Sequence, residues 1–298
     1  MKMNQTDFKS RLKEKTEHVN AVLAKYMPEA DGAQRAVIDA MSYSVTAGGK
    51  RVRPMLMEEC ALLFGGSEDI EPFMSAIEMI HTYSLVHDDL PAMDNDKYRR
   101  GKKTTWYVFG EDLGVLCGDA LLNYAFETMA EAALRSKTPG RCLEALSVIA
   151  KKAGIYGMIG GQTIDVESSG ENPDARTVML IHSLKTAALI EASMKAGAIL
   201  AGADSDAADL IEDAAGKIGL AFQIQDDILD VTGSEDVLGK PVLSDEKNLK
   251  TTYVTINGIE ESRKRVASLS REAEEQIRQI GENDFLIELI EHLIYREK

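Results

Sequence analysis

Two aspartate-rich segments, each following an apolar helical run, limit what this chain can fold into. The first is His87-Asp88-Asp89-Leu90-Pro91-Ala92-Met93-Asp94; the second is Gln223-Ile224-Gln225-Asp226-Asp227-Ile228-Leu229-Asp230. Carboxylates this dense repel one another, and burying them without cations is costly. A fold that keeps both clusters is most simply one that holds hard divalent cations between them.

The stretches around these clusters are helical in character. All seven prolines act as punctuation, and between them run segments rich in Ala, Leu, Glu, Lys, Met and Ile. Apolar residues recur at helical spacing, as in 192–200 and 210–228. No series of alternating β-branched strands bounded by hairpin turns appears. The expected fold class is all-α, a bundle of roughly ten or more helices. Turn signals such as Gly65-Gly66, Thr138-Pro139-Gly140 and Asn172-Pro173-Asp174 separate helices rather than domains. No low-complexity linker interrupts the chain, so residues 1–298 are read as a single domain.

The formal net charge is -15, which argues against a nucleic-acid partner or an anionic membrane surface. Basic residues nonetheless cluster, at Lys50, Arg51 and Arg53, at Arg99, Arg100, Lys102 and Lys103, and at Lys240, Lys247 and Lys250. Cationic clusters in an acidic chain fit local anion sites. Three cysteines without metal-ligand spacing argue against a disulfide framework and suit a reducing cytoplasm. The first residues lack an apolar signal core, and no apolar run is long enough to span a bilayer. A soluble, cytoplasmic protein is expected.

In the second cluster Asp226 and Asp230 share a helix face, with Gln223 one turn earlier, and the three polar groups are expected to line a wet cavity. The first cluster closes a helix expected over 75–90, on which His81 and Asp88 project to nearly the same side. Acidic residues there meet the negative end of the helix dipole, an unfavourable placement for mere surface charge. Pro91 ends the helix, and a turn there brings Asp94 back beside Asp88. Magnesium suits these oxygen donors best, because it takes a few carboxylates, keeps waters and completes its shell with substrate phosphates. The pair of clusters points to diphosphate chemistry.

The cations fit that chemistry. Arg99-Arg100 offers two guanidinium groups that grip phosphate bidentately. In Gly48-Gly49-Lys50-Arg51-Val52-Arg53-Pro54, paired glycines before a helix start at Pro54 let backbone and cations approach an anion. Lys185-Thr186 places a cation on an otherwise neutral helix. His81, projecting toward Asp88, is read as a hydrogen-bond donor to phosphate. Gly160-Gly161-Gln162-Thr163-Ile164-Asp165 either lines the same cavity or makes a close helix contact.

GGKRVRP, HDDLPAMDNDKYRRG, the Lys185-Thr186 pair, and FQIQDDILD followed by LGKP occur in this order. Together they resemble the trans-isoprenyl diphosphate synthases, over residue 35 to the C-terminus. The pattern is most similar to the bacterial farnesyl diphosphate synthase type, whose first Asp motif carries an insertion, here within 90–93. The resemblance implies antiparallel helices around a deep central cavity, with the Asp motifs facing each other across its mouth, and a homodimer.

It also implies roles. Asp88, Asp94 and Asp226 would coordinate about three magnesium ions that grip an allylic diphosphate. Arg99, Lys185, Gln223 and Lys240 would hold that diphosphate, and Thr186 would act near the reacting carbons. Lys50, Arg53, His81 and Arg100 would bind isopentenyl diphosphate. The implied reaction condenses isopentenyl diphosphate head to tail with dimethylallyl and then geranyl diphosphate, giving farnesyl diphosphate. Tyr83, about 7.5 Å before Asp88 along a helix, would set the cavity floor, although on a straight helix Ser84 points more nearly with Asp88. A geranylgeranyl or geranyl diphosphate synthase is the alternative, followed by a terpene cyclase or a non-catalytic subunit.

Overall fold

The computed structural model describes residues 5–170, 173–232 and 251–295. The long runs between prolines become helices. In order they are α1 (Gln5–Tyr26), α2 (Arg35–Val45), α3 (Val52–Leu62) and α4 (Ile70–Asp88). After a short hairpin come α5 (Thr105–Phe109), α6 (Glu111–Arg135), α7 (Pro139–Ala153), α8 (Met158–Glu167) and α9 (Ala175–Ile181). A π-helical segment (His182–Ala187) leads into α10 (Ala188–Ala201) and α11 (Ser205–Thr232). The described chain ends with α12 (Tyr253–Asn257), α13 (Ile259–Ile280) and α14 (Asp284–Ile294). The fold is the all-α architecture expected from the sequence.

Packing follows each helix's apolar pattern. Helix α10 is apolar apart from the salt-bridged Glu191 and Lys195, so it lies in the centre, flanked by α3, α7 and α11. Helix α13 is amphipathic and buries Val266, Leu269, Ala273 and Ile277, at three- and four-residue spacing, toward α11. Buried apolar side chains from Val19 in α1 to Ile294 in α14 join in one cluster. Side-chain caps start α12 and α14: Thr252 with Thr255 forms a capping box, and Asn283 accepts from the Leu286 N–H at 3.0 Å.

Three local details depart from expectation. Helix α4 begins at Ile70, with Pro72 tolerated in the first turn, and stops at Asp88 rather than at 90. Helix α3 starts at Val52, ahead of Pro54. Tyr98–Arg99 and Lys102–Lys103 pair as a two-residue hairpin, closed by Arg100 and Gly101 with φ of 53° and 74°. Positive φ at both central residues is the tight-turn geometry that matches strand twist. The hairpin is too short to show alternation in the sequence.

Candidate active site

Helices α3, α4, α6 and α8 and the π-helical segment line a cavity of about 900 Å³. Arg53, His81, Tyr83, Ser84, Asp88, Lys185 and Thr186 all line it. Leu122, Met158, Ile159 and Val166 supply an apolar body. Both Tyr83 and Ser84, the two residues expected near the cavity floor, line this space. The hollow wraps around the flank of α4 broadly enough to meet both. The Ser84 hydroxyl donates to the His81 carbonyl at 2.9 Å and so stays on its own helix. Tyr83 is 5% exposed, stacks edge-on against His87 at 5.8 Å, and its hydroxyl has no partner among the described residues. Burial, with the Asp88 charge added, pushes its phenol up to about 12.

The acidic side is electrostatically unfinished. Asp88 closes α4, and the chain turns back at Pro91 so that the Asp94 N–H donates to the Asp88 carbonyl at 2.9 Å. Asp94 itself is exposed. Burial holds the Asp88 carboxyl above its ordinary range; Lys185 and Arg99 oppose this, while Asp94 and Asp165 reinforce it. Added positive charge would relieve that repulsion, and carboxylate oxygens are the donors a hard divalent cation takes. Among the described residues, no group of three or more His, Cys, Asp or Glu is already arranged around a cation.

Lys185 reaches across to Asp165 at 2.6 Å. Asp165 ends the 160–165 segment, whose two readings both hold. Gln162 and Thr163 line the cavity. Gly161 lets α8 press on the π-helical segment, since a Cβ there would lie 2.3 Å from the Lys185 backbone nitrogen. Sequence reasoning gave Asp165 no role; its only signal was a carboxylate beside two helical glycines.

The second Asp cluster meets the cavity through Thr186, whose hydroxyl donates to Gln223 Oε1 at 3.0 Å. Gln223 and Asp226 are partly exposed, whereas Asp227 and Asp230 are buried. The expected wet face of Gln223, Asp226 and Asp230 is therefore incomplete, because α11 turns Asp230 into the packed interior. Asp227 accepts from the Tyr253 N–H at 2.9 Å and ties α11 to α12.

The cationic side is tightly assembled. Gly48 and Gly49 have φ of 99° and 141°, and Arg100 donates to the Gly48 carbonyl. A Cβ at Gly49 would lie 2.4 Å from Arg100 Nη1, so glycine is required for that approach. The Nε of Arg53 is buried without a partner among the described residues. His81 is held well below its usual pKa, first by burial and then by Arg53, Arg100, Arg51 and Arg99. It is therefore a neutral imidazole with one N–H to donate.

Several expected residues stand outside the large cavity. Arg99 donates to Asp89 at 2.7 Å and lies 3.7 Å from Asp96. Burial raises Asp89 to about 6 despite Arg99. Arg99 and Arg100 line a narrower adjoining hollow with Thr82 and Thr104. Lys50 borders a separate space of about 280 Å³ between α1 and α14, beside Leu12 and His292. Lys240 lies outside the described residues.

Residues 34–288 match the family model described as polyprenyl synthetase. The chain is 44% identical to a geranylgeranyl diphosphate synthase of Cyanophora paradoxa and 40% identical to a farnesyl diphosphate synthase of Geobacillus stearothermophilus. Each match covers 93% of both chains. Among solved structures, an FPP/GFPP synthase from Zymomonas mobilis superposes with a TM-score of 0.85 at 33% identity, over 97% of this chain and 99% of that one. An all-α cavity with carboxylates at one mouth and cations beside it, matched over nearly its whole length by such relatives, places this chain in the polyprenyl synthetase family, the trans-prenyl diphosphate synthases that elongate prenyl chains.

Proposed function

We propose that this enzyme joins isopentenyl diphosphate head to tail with dimethylallyl and then geranyl diphosphate, ending at the fifteen-carbon farnesyl product. The observation that carries the reading is the single cavity in which Asp88, Lys185, Arg53 and His81 border an apolar space.

Asp88, Asp94 and Asp226 would hold magnesium, about three ions with the substrate phosphates completing the shells. When bound, the metal neutralises charge developing on the departing pyrophosphate. Lys185, released from Asp165, supplies a point charge to the same leaving group, joined by Arg99, Gln223 and Lys240. Thr186, fixed by its hydrogen bond to Gln223, sits beside the reacting carbons. Lys50, Arg53, Arg100 and the neutral His81 hold isopentenyl diphosphate, so its double bond faces the allylic carbon. The allylic carbon–oxygen bond breaks, the new carbon–carbon bond forms, and the proton lost passes to the released pyrophosphate. The apolar wall keeps water from the cation.

Tyr83 supports the farnesyl assignment, because its buried ring lines the hollow a little more than one turn before Asp88 on α4. The geranylgeranyl reading draws support from Val115, Leu122 and Ile159, which line the same cavity as Tyr83 with apolar side chains. We further propose one domain over 1–298, which the single buried cluster supports. A homodimer would cover the exposed Leu116 of α6. The three buried free thiols suit a reducing cytoplasm, and among the described residues no helix is long and apolar enough to cross a membrane.

The test is the product profile with magnesium, isopentenyl diphosphate and dimethylallyl diphosphate. Mainly fifteen-carbon product is expected. A ten- or twenty-carbon product keeps the chemistry and overturns the length. No condensation by folded enzyme overturns the reading in favour of a cyclase or a non-catalytic subunit.

A further inference from the structure

Between Lys50 and Arg53 sits a residue that lines none of the cavities described above. Arg51 adopts a left-handed backbone, with φ 53° and ψ 31°, immediately before α3. That conformation is uncommon for a residue with a Cβ and persists only where surroundings impose it. Here they do. The side chain is 4% exposed, and each of its three guanidinium nitrogens has a partner on a different helix. Nη1 donates to Glu78 of α4 at 2.7 Å, Nε to Asn20 of α1 at 2.9 Å, and Nη2 to the Val45 carbonyl of α2 at 2.6 Å.

This arrangement has consequences on both sides of Arg51. Its backbone sets the directions in which Lys50 and Arg53 leave the chain. Its partner Glu78 precedes His81 by three residues, on the same face of α4. The Glu78 charge also acts on Arg53 and Arg100. One buried carboxylate thus lies beneath three arginines, and one buried guanidinium fixes the turn that carries two binding residues. A pair serving stability alone would not need a left-handed residue at its head.

We propose that Arg51, anchored by Glu78, is a positioning residue that presets the site for the second diphosphate and has no part in ionising the allylic one. The inference rests on the reading of Lys50, Arg53, His81 and Arg100 as that site.

Steady-state kinetics separates the possibilities. R51K keeps a cation opposite Glu78 but loses the three-pronged grip, and R51G adopts the backbone freely but loses the anchor. R53A serves as the reference for a direct contact. Both Arg51 variants are expected to raise KM for isopentenyl diphosphate about tenfold or more, with KM for geranyl diphosphate within about twofold of wild type. If the two constants move together, or only the melting temperature falls, the pair is structural and the inference fails. Wild-type KM in R51G would mean that the backbone alone matters, which also overturns it. An R53A enzyme with unchanged KM for isopentenyl diphosphate would remove the site assignment itself, and the inference with it. A raised KM in R53A but not in R51K removes the inference alone.

Discussion

The acidic mouth of this cavity and the arginine cluster beside it are built on opposite electrostatic terms. In the arginine cluster most charges already have internal counterparts: Arg51 with Glu78, Arg99 with Asp89, and Arg100 with the Gly48 carbonyl. At the mouth, Asp94 and Asp165 add to the burial that raises the Asp88 carboxyl, against Lys185 and Arg99, and Lys185 pairs with Asp165. A site completed by protein groups can be rigid before substrate arrives. A site whose carboxylates repel needs external cations to become attractive to a diphosphate. One substrate thus meets a prepared surface, and the other must bring metal with it.

The strongest way to break this contrast is at the mouth. Asp88→Asn is expected to lower kcat by about 10²–10³-fold or more, because leaving-group charge goes unneutralised. Turnover rates across a magnesium series check this; near-normal activity at any magnesium level would place the metal elsewhere. Lys185→Gln is expected to cost less, about 10²-fold in kcat/KM for the allylic substrate, since it removes one point charge. Equal losses toward both substrates would deny Lys185 its assigned side. Tyr83→Ala changes product rather than rate: longer chains should appear in the product spectrum, and an unchanged spectrum would show that the floor lies deeper, toward Leu122.

The smallest effect concerns His182, which lies behind the mouth. Burial lowers it to about 4, against the raising influence of Asp165 and Asp226, and its Nδ1 has no partner among the described residues. The unfolded chain binds this proton from about pH 6.5 downward and the folded one does not. Stability should therefore fall between pH 6.5 and about 4, by up to about 1.4 kcal/mol per pH unit from this group. Asp88 and Asp89 act with the opposite sign, since their raised carboxyls take up protons more readily in the folded state. The difference between wild type and His182→Gln isolates the histidine. Parallel melting curves across that window would show that it contributes nothing.

Much of this architecture was legible in the chain. Helical periodicity over 192–200 and 210–228 yields α10 and α11, because burial of an apolar face repeats with the turn of the helix. The order of the motifs carried the family. Pro91 and the acidic end of α4 marked the turn toward Asp94. The hairpin at Tyr98–Lys103 was not legible, since strands of two residues have no period to detect. Asp227 and Asp230 were equally hidden: their spacing says which face of α11 they occupy but not what lies opposite.

The sequence by itself determined the helices, the carboxylate pairs and the cation clusters, because these depend on residues a few positions apart. Only the tertiary structure decided that Lys185 meets Asp165, that Arg51 is pinned by Asn20, Val45 and Glu78, and that Tyr83 and Ser84 share one cavity with Arg53. The physical reason is that a helical period fixes which side chains face outward together. Which helix they then meet depends on the packing of the whole core, and pairs 20 or 27 residues apart leave no local trace.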